Sequence, residues 1–294
     1  MPAVSEARQP RATAFTIRDP HPWPGMVEIV REGERLGYAA VFLPETGARD
    51  TLVTLMGLAG ETEQLLLGTG VIPMRARTAN LAAMAAATVQ DRSGARHLLG
   101  VGTGGSQPGA LERLRTYVEE LRDLVGGSAP GAALRLPLSA PIPIWTAALG
   151  PRAVRLAGEL ADGVILNWCT PDRVAQARDA IRVAAGEAGR DPDAVTISVY
   201  VRGAFSERAD EALLAAASEY CSYASYARQF REMGIEPTPE AVVDAICLRG
   251  DPEAARERLE AYRSAGADLP VVYPVLAAGE GPDAALAVLR ALAP

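Results

Sequence analysis

No lysine occurs anywhere in the 294 residues, so all 29 basic side chains are arginine. Schiff-base chemistry and a lysine grip on phosphate are excluded outright; the pattern is consistent with a GC-rich coding bias. Histidine is almost as scarce, with only His21 and His97, and the three cysteines Cys169, Cys221 and Cys247 stand far apart. Neither a disulfide framework nor a CxxC metal pair can be assembled from them, and so little imidazole argues against zinc. Aromatics make up 5% of the chain, which leaves alanine to do much of the helix packing. Formal net charge is −7, the wrong sign for a nucleic-acid footprint. No apolar run approaches a transmembrane span, and residues 1–11 lack the apolar middle of a signal peptide. The expectation is a soluble cytoplasmic protein with a flexible leader over residues 1–11.

Apolar material is ample. At 49% hydrophobic and 22% charged, the chain can bury a large core and fold throughout. Its length suits a closed α/β barrel of roughly 250 residues, or a doubly wound sheet with a small cap. Strand-length apolar runs fall at Ala12–Ile17, Ala39–Pro44, Leu65–Val71, His97–Gly102, Ile142–Ala147, Gly163–Asn167, Thr196–Arg202 and Leu269–Tyr273. Between them, apolar positions recur at three and four residues, the helical signature. The spacing predicts helices at Met26–Leu36, Thr51–Glu61, Ala79–Arg92, Leu111–Val125, Pro151–Glu159, Pro171–Glu187, Ala209–Met233, Pro252–Ala265 and Pro282–Leu292. Thr170-Pro171 and Asp251-Pro252 put proline at the first helical position behind a capping residue. Eight strands with intervening helices and no composition break predict one (β/α)8 TIM barrel over residues 12–294. The stretch Ala204–Gly250 predicts a helical insertion between strands 7 and 8, at the top face where such segments cover sites.

In such a barrel, function sits at the C-terminal ends of the strands. Those ends read Arg18-Asp19-Pro20-His21, Glu45-Thr46, Gly70-Val71-Ile72-Pro73, Thr103-Gly104-Gly105-Ser106, Ala147–Arg152 and Asn167-Trp168-Cys169. Glycine gathers there, which would let a flat ring or a phosphate approach the backbone. Gly100–Gly105 literally matches GxGxxG, with Glu119 near the spacing of a ribose acid. Pro108 interrupts the approach to the next helix, and a lone fingerprint on a fourth strand is weak. Ala147–Arg152 is the better anion site: a strand ends, a glycine turn follows, and Pro151 starts a helix whose free N–H groups can hold phosphate. An ordinary βα turn is the bland alternative there.

Taken together, several segments resemble the bacterial luciferase-like superfamily, in its coenzyme F420-dependent oxidoreductase branch. They are Glu34–Glu45, Leu67–Val71, Ser93–Gly104, Pro143–Arg152 and Leu156–Asn167, whose order and spacing cover nearly the whole chain. The resemblance implies a (β/α)8 barrel with a deazaflavin, or FMN as the alternative, at its top. It implies a cis peptide at Gly70–Val71 behind the central ring and a phosphate turn at Ala148, Leu149 and Gly150, with Arg152 close by. Arg75 or Arg77 would meet the glutamates of the coenzyme tail. Thr103 and Gly104 would border the site, and Glu45 would face the ring. Ser128–Pro141 is shorter than the family's usual pocket-shaping insertion.

His21, at the top, is either a proton donor or a surface-loop histidine; His97, at the bottom of the barrel, reads as structural. Trp168 either stacks on the ring or packs under the lid, with Tyr200, Arg202, Tyr223 and Tyr226 as further candidates of this kind and Cys169 as pocket wall. The leading expectation is hydride transfer between reduced F420 and a C=C, C=N or carbonyl/alcohol group of a small metabolite, with His21 or Glu45 moving the proton. An FMN-dependent monooxygenase and a non-catalytic flavin-binding or scaffold relative are the alternatives. The expected assembly is a homodimer through helices beside strands two and three, Ala79–Arg92 among them.

Overall fold

The computed structural model describes residues 12–17, 21–105, 107–127 and 134–294; the expected leader, Arg18–Pro20 and part of the shortened loop lie outside them. Its strands are β1 (Ala14–Thr16), β2 (Ala40–Leu43), β3 (Leu66–Thr69), β4 (Ile72–Pro73), β5 (His97–Gly102), β6 (Ile144–Ala148), β7 (Gly163–Asn167), β8 (Thr196–Gly203) and β9 (Leu269–Pro274). All pairings are parallel; β1 joins β9, and β3 joins β5 through Leu67 opposite His97, so the sheet closes on itself. β3 and β4 are one barrel strand divided at the Gly70–Val71 peptide, which is cis as the resemblance implies. The result is the expected eight-stranded parallel barrel.

Helices follow the strands: α1 (Trp23–Arg35), α2 (Thr51–Leu58), α3 (Ala79–Arg92), α4 (Ala110–Gly126), α5 (Pro151–Leu160) and α6 (Pro171–Glu187), with α10 (Pro252–Ser264) and α11 (Pro282–Ala291) near the end. Local chemistry sets their starts. Asp50, Thr78, Thr170 and Asp251 each accept a hydrogen bond from a first-turn N–H, and proline opens α5, α6, α10 and α11.

Strand alternation divides the core. On β5, Leu99 and Val101 face the helices while Leu98 faces the barrel interior; Phe42, Trp145, Ile165, Tyr200 and Tyr273 join it there. A third cluster, around Trp168, Leu213, Phe230, Val242 and Ile246, lies beneath the insertion.

That insertion is three helices: α7 (Ala209–Cys221), α8 (Ala224–Glu232) and α9 (Pro239–Ile246). The sequence pattern predicts one helix over Ala209–Met233, and the structure divides it at Ser222–Tyr223. Ser222 Oγ donates to the Glu219 carbonyl at 2.6 Å, and Tyr223 is extended at φ −84°, ψ 119° as the α8 N-cap. A serine bonded to its own backbone competes with helix continuation. The bend lets Tyr220 and Tyr226 meet edge to face, ring centroids 4.7 Å apart.

Candidate active site at the barrel mouth

Strands three to five bring small residues to the mouth. Gly70, Gly102 and Ala147 lie here, and the expectation that glycine leaves room for a ring meets a correction at the first two. A Cβ on Gly70 would stand 1.9 Å from the Tyr200 hydroxyl and 3.0 Å from Phe42 Cβ. The room is taken: Tyr200 donates its O–H to the Gly70 carbonyl at 3.1 Å. A Cβ on Gly102 would stand 2.8 Å from a Val71 methyl. Val71 itself is half-buried and packs on the interior cluster, so it forms the surface that a ring would meet. Thr103 is half-buried, and Gly104 is exposed at φ +68° with the exposed Arg75 side chain lying against it. The GxGxxG match has no helix behind it, since α4 begins only at Ala110.

Strands six to eight carry the polar groups. Arg202, 2% exposed, donates from Nη1 to Asn167 Oδ1 at 2.8 Å, and Asn167 Nδ2 donates to the Tyr226 hydroxyl at 2.9 Å. Trp168 is fully buried at φ +52°, a conformation uncommon for such a bulky residue, with its carbonyl held by Gln229 Nε2 at 2.8 Å. Of its two readings, packing beneath the lid is the one observed. Burial pushes the Cys169 thiol up to about 12, so it is wall rather than nucleophile.

His21 and Glu45 occupy the neighbouring loops, and no hydrogen bond joins their side chains among the described residues. His21 is buried near the starts of α1 and α11, its carbonyl held by Arg49 at 2.9 Å and its Nε2 without a partner among the described residues. Burial first, and the Arg49 charge second, lower its pKa, so the ring is neutral at pH 7 and suited to accept a proton rather than supply one. Glu45 Oε2 accepts from Arg77 at 2.8 Å and from the Thr51 N–H at 3.3 Å, while Arg77 also reaches Asp50 at 2.6 Å. Glu45 and Arg77 therefore tie this loop to the α2 N-cap. Arg77, expected as a contact for the coenzyme tail, is committed to these two carboxylates.

The βα turn at Ala148–Gly150 opens on a cavity of about 290 Å³, lined by Leu149, Gly150, Pro151, Ser225, Arg228, Gln229 and Glu232. Gly150 caps α5 with ordinary extended angles, φ −95° and ψ 169°, and a Cβ there would meet nothing within 4 Å. The space in front of it is open. Arg152 is exposed and does not line this cavity; the cation that does is Arg228, from the insertion. Sequence reasoning missed α8's part, although Ser225, Arg228, Gln229 and Glu232 recur at three- and four-residue spacing, the signature of one helix face.

The sequence model of the luciferase-like monooxygenase family matches residues 6–269. The chain belongs to that family. The matched stretch includes every strand up to the start of β9 and the whole insertion, so all of the mouth but the Tyr273 end of β9 lies within it. A provisionally named coenzyme F420-dependent oxidoreductase of Mycobacterium tuberculosis is 34% identical over 49% of the chain and 51% of its own length. The chain thus spans about half of that relative. The 5,10-methylenetetrahydromethanopterin reductase of Methanolobus tindarius is 28% identical over 74% of the chain and 73% of its own length. Among solved structures, an F420-dependent secondary alcohol dehydrogenase in complex with an F420-acetone adduct superposes with a TM-score of 0.78 at 16% identity, covering 96% of this chain and 99% of that one. At that identity the likeness speaks for the fold alone. No helix among the described residues is long and apolar enough to cross a membrane.

Proposed function

We propose that this luciferase-like protein is a coenzyme F420-dependent oxidoreductase that moves a hydride between the deazaflavin and a small-molecule substrate at the barrel mouth. The observation that carries the reading is the cavity at the α5 N-terminus, where the open face of Gly150, the positive end of the helix dipole and the Arg228 guanidinium converge. The helix end and Arg228 fit a phosphodiester; the Glu232 carboxylate on the same wall is balanced by Arg228 at 3.8 Å and Arg173 at 3.7 Å. In a chain of net charge −7, such local donors must supply what long-range attraction does not. The sequence relatives named for F420 support the choice of cofactor.

When bound, the deazaflavin supplies a ring carbon that gives or takes a hydride. The residues do the rest. Ala148, Leu149 and Gly150 would hold the phosphate with Arg228, and Val71 would back the ring, with Thr103 and Gly104 at its border. His21, neutral and desolvated, takes the proton of an alcohol at Nε2 and returns it in the reducing direction. Glu45 keeps the adjoining loop in place through Arg77.

The family's own description supports a second reading, an FMN-dependent monooxygenase, since the same cavity would hold the FMN phosphate. Titration of the purified protein with F420 and with FMN decides between them. Tight F420 binding with weak FMN is the expected result; the reverse selects the monooxygenase. Binding of neither overturns both and leaves the scaffold reading.

A homodimer is part of the proposal. The adjacent helices α2 and α3 leave Val53, Leu81 and Met84 exposed by 70%, 51% and 52%, and a second copy of the same face would cover them. Sedimentation should give a dimer that Met84→Glu dissociates; a monomer at micromolar concentration refutes it.

A further inference from the structure

Half-buried Arg96 and buried Arg202 are treated in opposite ways. Arg96 donates five hydrogen bonds, to Ser93 O, Thr62 Oγ1, Leu65 O, Ala59 O and Thr62 O, at 2.7–3.0 Å. Its guanidinium is a structural tie with its donors spent. Arg202 is 2% exposed, yet among the described residues only the Nη1 bond to Asn167 answers it, and no described carboxylate pairs with it. A guanidinium carries five N–H donors, and a buried charge left unpaired is costly. Aromatic rings hold it instead: its central carbon lies 3.9 Å from the Trp168 ring centroid, 4.6 Å from Tyr273 and 4.9 Å from Tyr220. Rings stabilise the cation and fix its plane while leaving hydrogen bonds unmade. Strand alternation puts Arg202 on the inner face of β8, two residues beyond Tyr200 toward the mouth.

We propose that Arg202 anchors a carboxylate of the substrate, which makes the substrate class small carboxylic acids bearing the reducible or oxidisable group. The inference rests on the barrel mouth being the substrate site, as in the function proposed above. Planar, rigid and held by three rings, the guanidinium is prepared for bidentate pairing with a carboxylate. Holding the plane in advance removes much of the ordering cost of binding. Tyr220 of α7 forms one wall of the cage, so the insertion takes part in holding the anchor.

The test is calorimetric titration of the cofactor-loaded protein with benzoate and with its neutral isostere benzamide, in the native chain, Arg202→Met and Arg202→Lys. The native protein should bind the acid at least about tenfold more tightly than the amide. Arg202→Met should abolish that preference and leave amide affinity unchanged, with Arg202→Lys between, since lysine keeps charge but loses the fork. Should the Met variant fail to fold, the ratio in the native and Lys proteins still decides. Equal binding of acid and amide by the native protein overturns the anchor, as does a preference surviving in Arg202→Met. Cofactor affinity, measured on the same samples, should be unchanged; a loss in Arg202→Met assigns the cation to the cofactor and overturns its role toward substrate. Failure of the native protein to bind any cofactor overturns the barrel-mouth reading itself, and with it this one.

Discussion

On strands three to five the barrel mouth is lined by Gly70, Gly102 and Ala147, and the space their missing side chains leave is filled by the Tyr200 hydroxyl and the Val71 methyls. On strands six to eight it is lined by Asn167, Arg202 and Tyr273, roofed by α7 and α8, with Arg202 donors that no described residue accepts. The first half is complete without a ligand; the second is not. A wall that already satisfies itself can offer only a flat apolar surface. A wall with a cation that no described carboxylate pairs, and an open cavity beyond it, is where a ligand would change the energy most. Glycine in this chain therefore marks packing at Gly70 and open space at Gly150, and only the neighbouring atoms tell the two apart.

The comparison breaks most visibly on the small half. Gly70→Ala should destabilise the fold by about 3 kcal/mol, because the added carbon meets a hydroxyl that cannot move without losing its bond. Chemical denaturation reads the loss, and adding Tyr200→Phe should recover part of it. No recovery would mean that Tyr200 is not what fills the space.

Beneath both halves lies the barrel floor, where His97 Nδ1 donates to the Leu67 carbonyl at 2.8 Å and burial pushes the ring down to about 4 from 6.5. The folded state thus binds fewer protons than the unfolded one in that window. Stability is full above about pH 6.5 and falls as pH drops toward 4, by up to about 3 kcal/mol from this group. His21, shifted in the same direction, adds to the slope. Urea unfolding between pH 7.5 and 4.5 measures it, and His97→Leu should flatten most of it. A slope unchanged in that variant would place the dependence elsewhere.

The open half of the comparison is sharpened by Gly150→Val. Its backbone angles suit any residue and its Cβ direction is empty, so stability should change by less than about 0.5 kcal/mol. Cofactor affinity should fall by about tenfold or more, roughly 1.4 kcal/mol. Stability lost with affinity retained would reverse the assignment of Gly70 and Gly150. A smaller effect belongs to Arg228→Ala. Its side chain is 71% exposed, so affinity should fall only a few-fold and become less sensitive to salt; Arg152→Ala should do less still.

Much of the fold is legible residue by residue. Strand-length apolar runs, proline at helix starts and the Thr and Asp caps are local signals, and they place the barrel strands and most helices to within a few residues. The single helix expected over Ala209–Met233 gives way to two because a Ser222 hydroxyl and a tyrosine cluster outweigh a continuous apolar period. The cis peptide at Gly70–Val71 was accessible through resemblance, since nothing in the dipeptide itself demands it.

The candidate site was legible in its strand ends and its α5 turn, both set by chain position within a repeating βα unit. Its partners were not. Tyr200 and Gly70 are 130 residues apart, Glu45 and Arg77 are 32, and Arg228 reaches the Gly150 cavity from a separate helix. Composition and period determine which elements form, because those depend on neighbours within a few residues. Which glycine is filled, which arginine is spent and which keeps donors that no described residue accepts were decided only when barrel closure and the packing of α8 aimed side chains from distant segments at the same point.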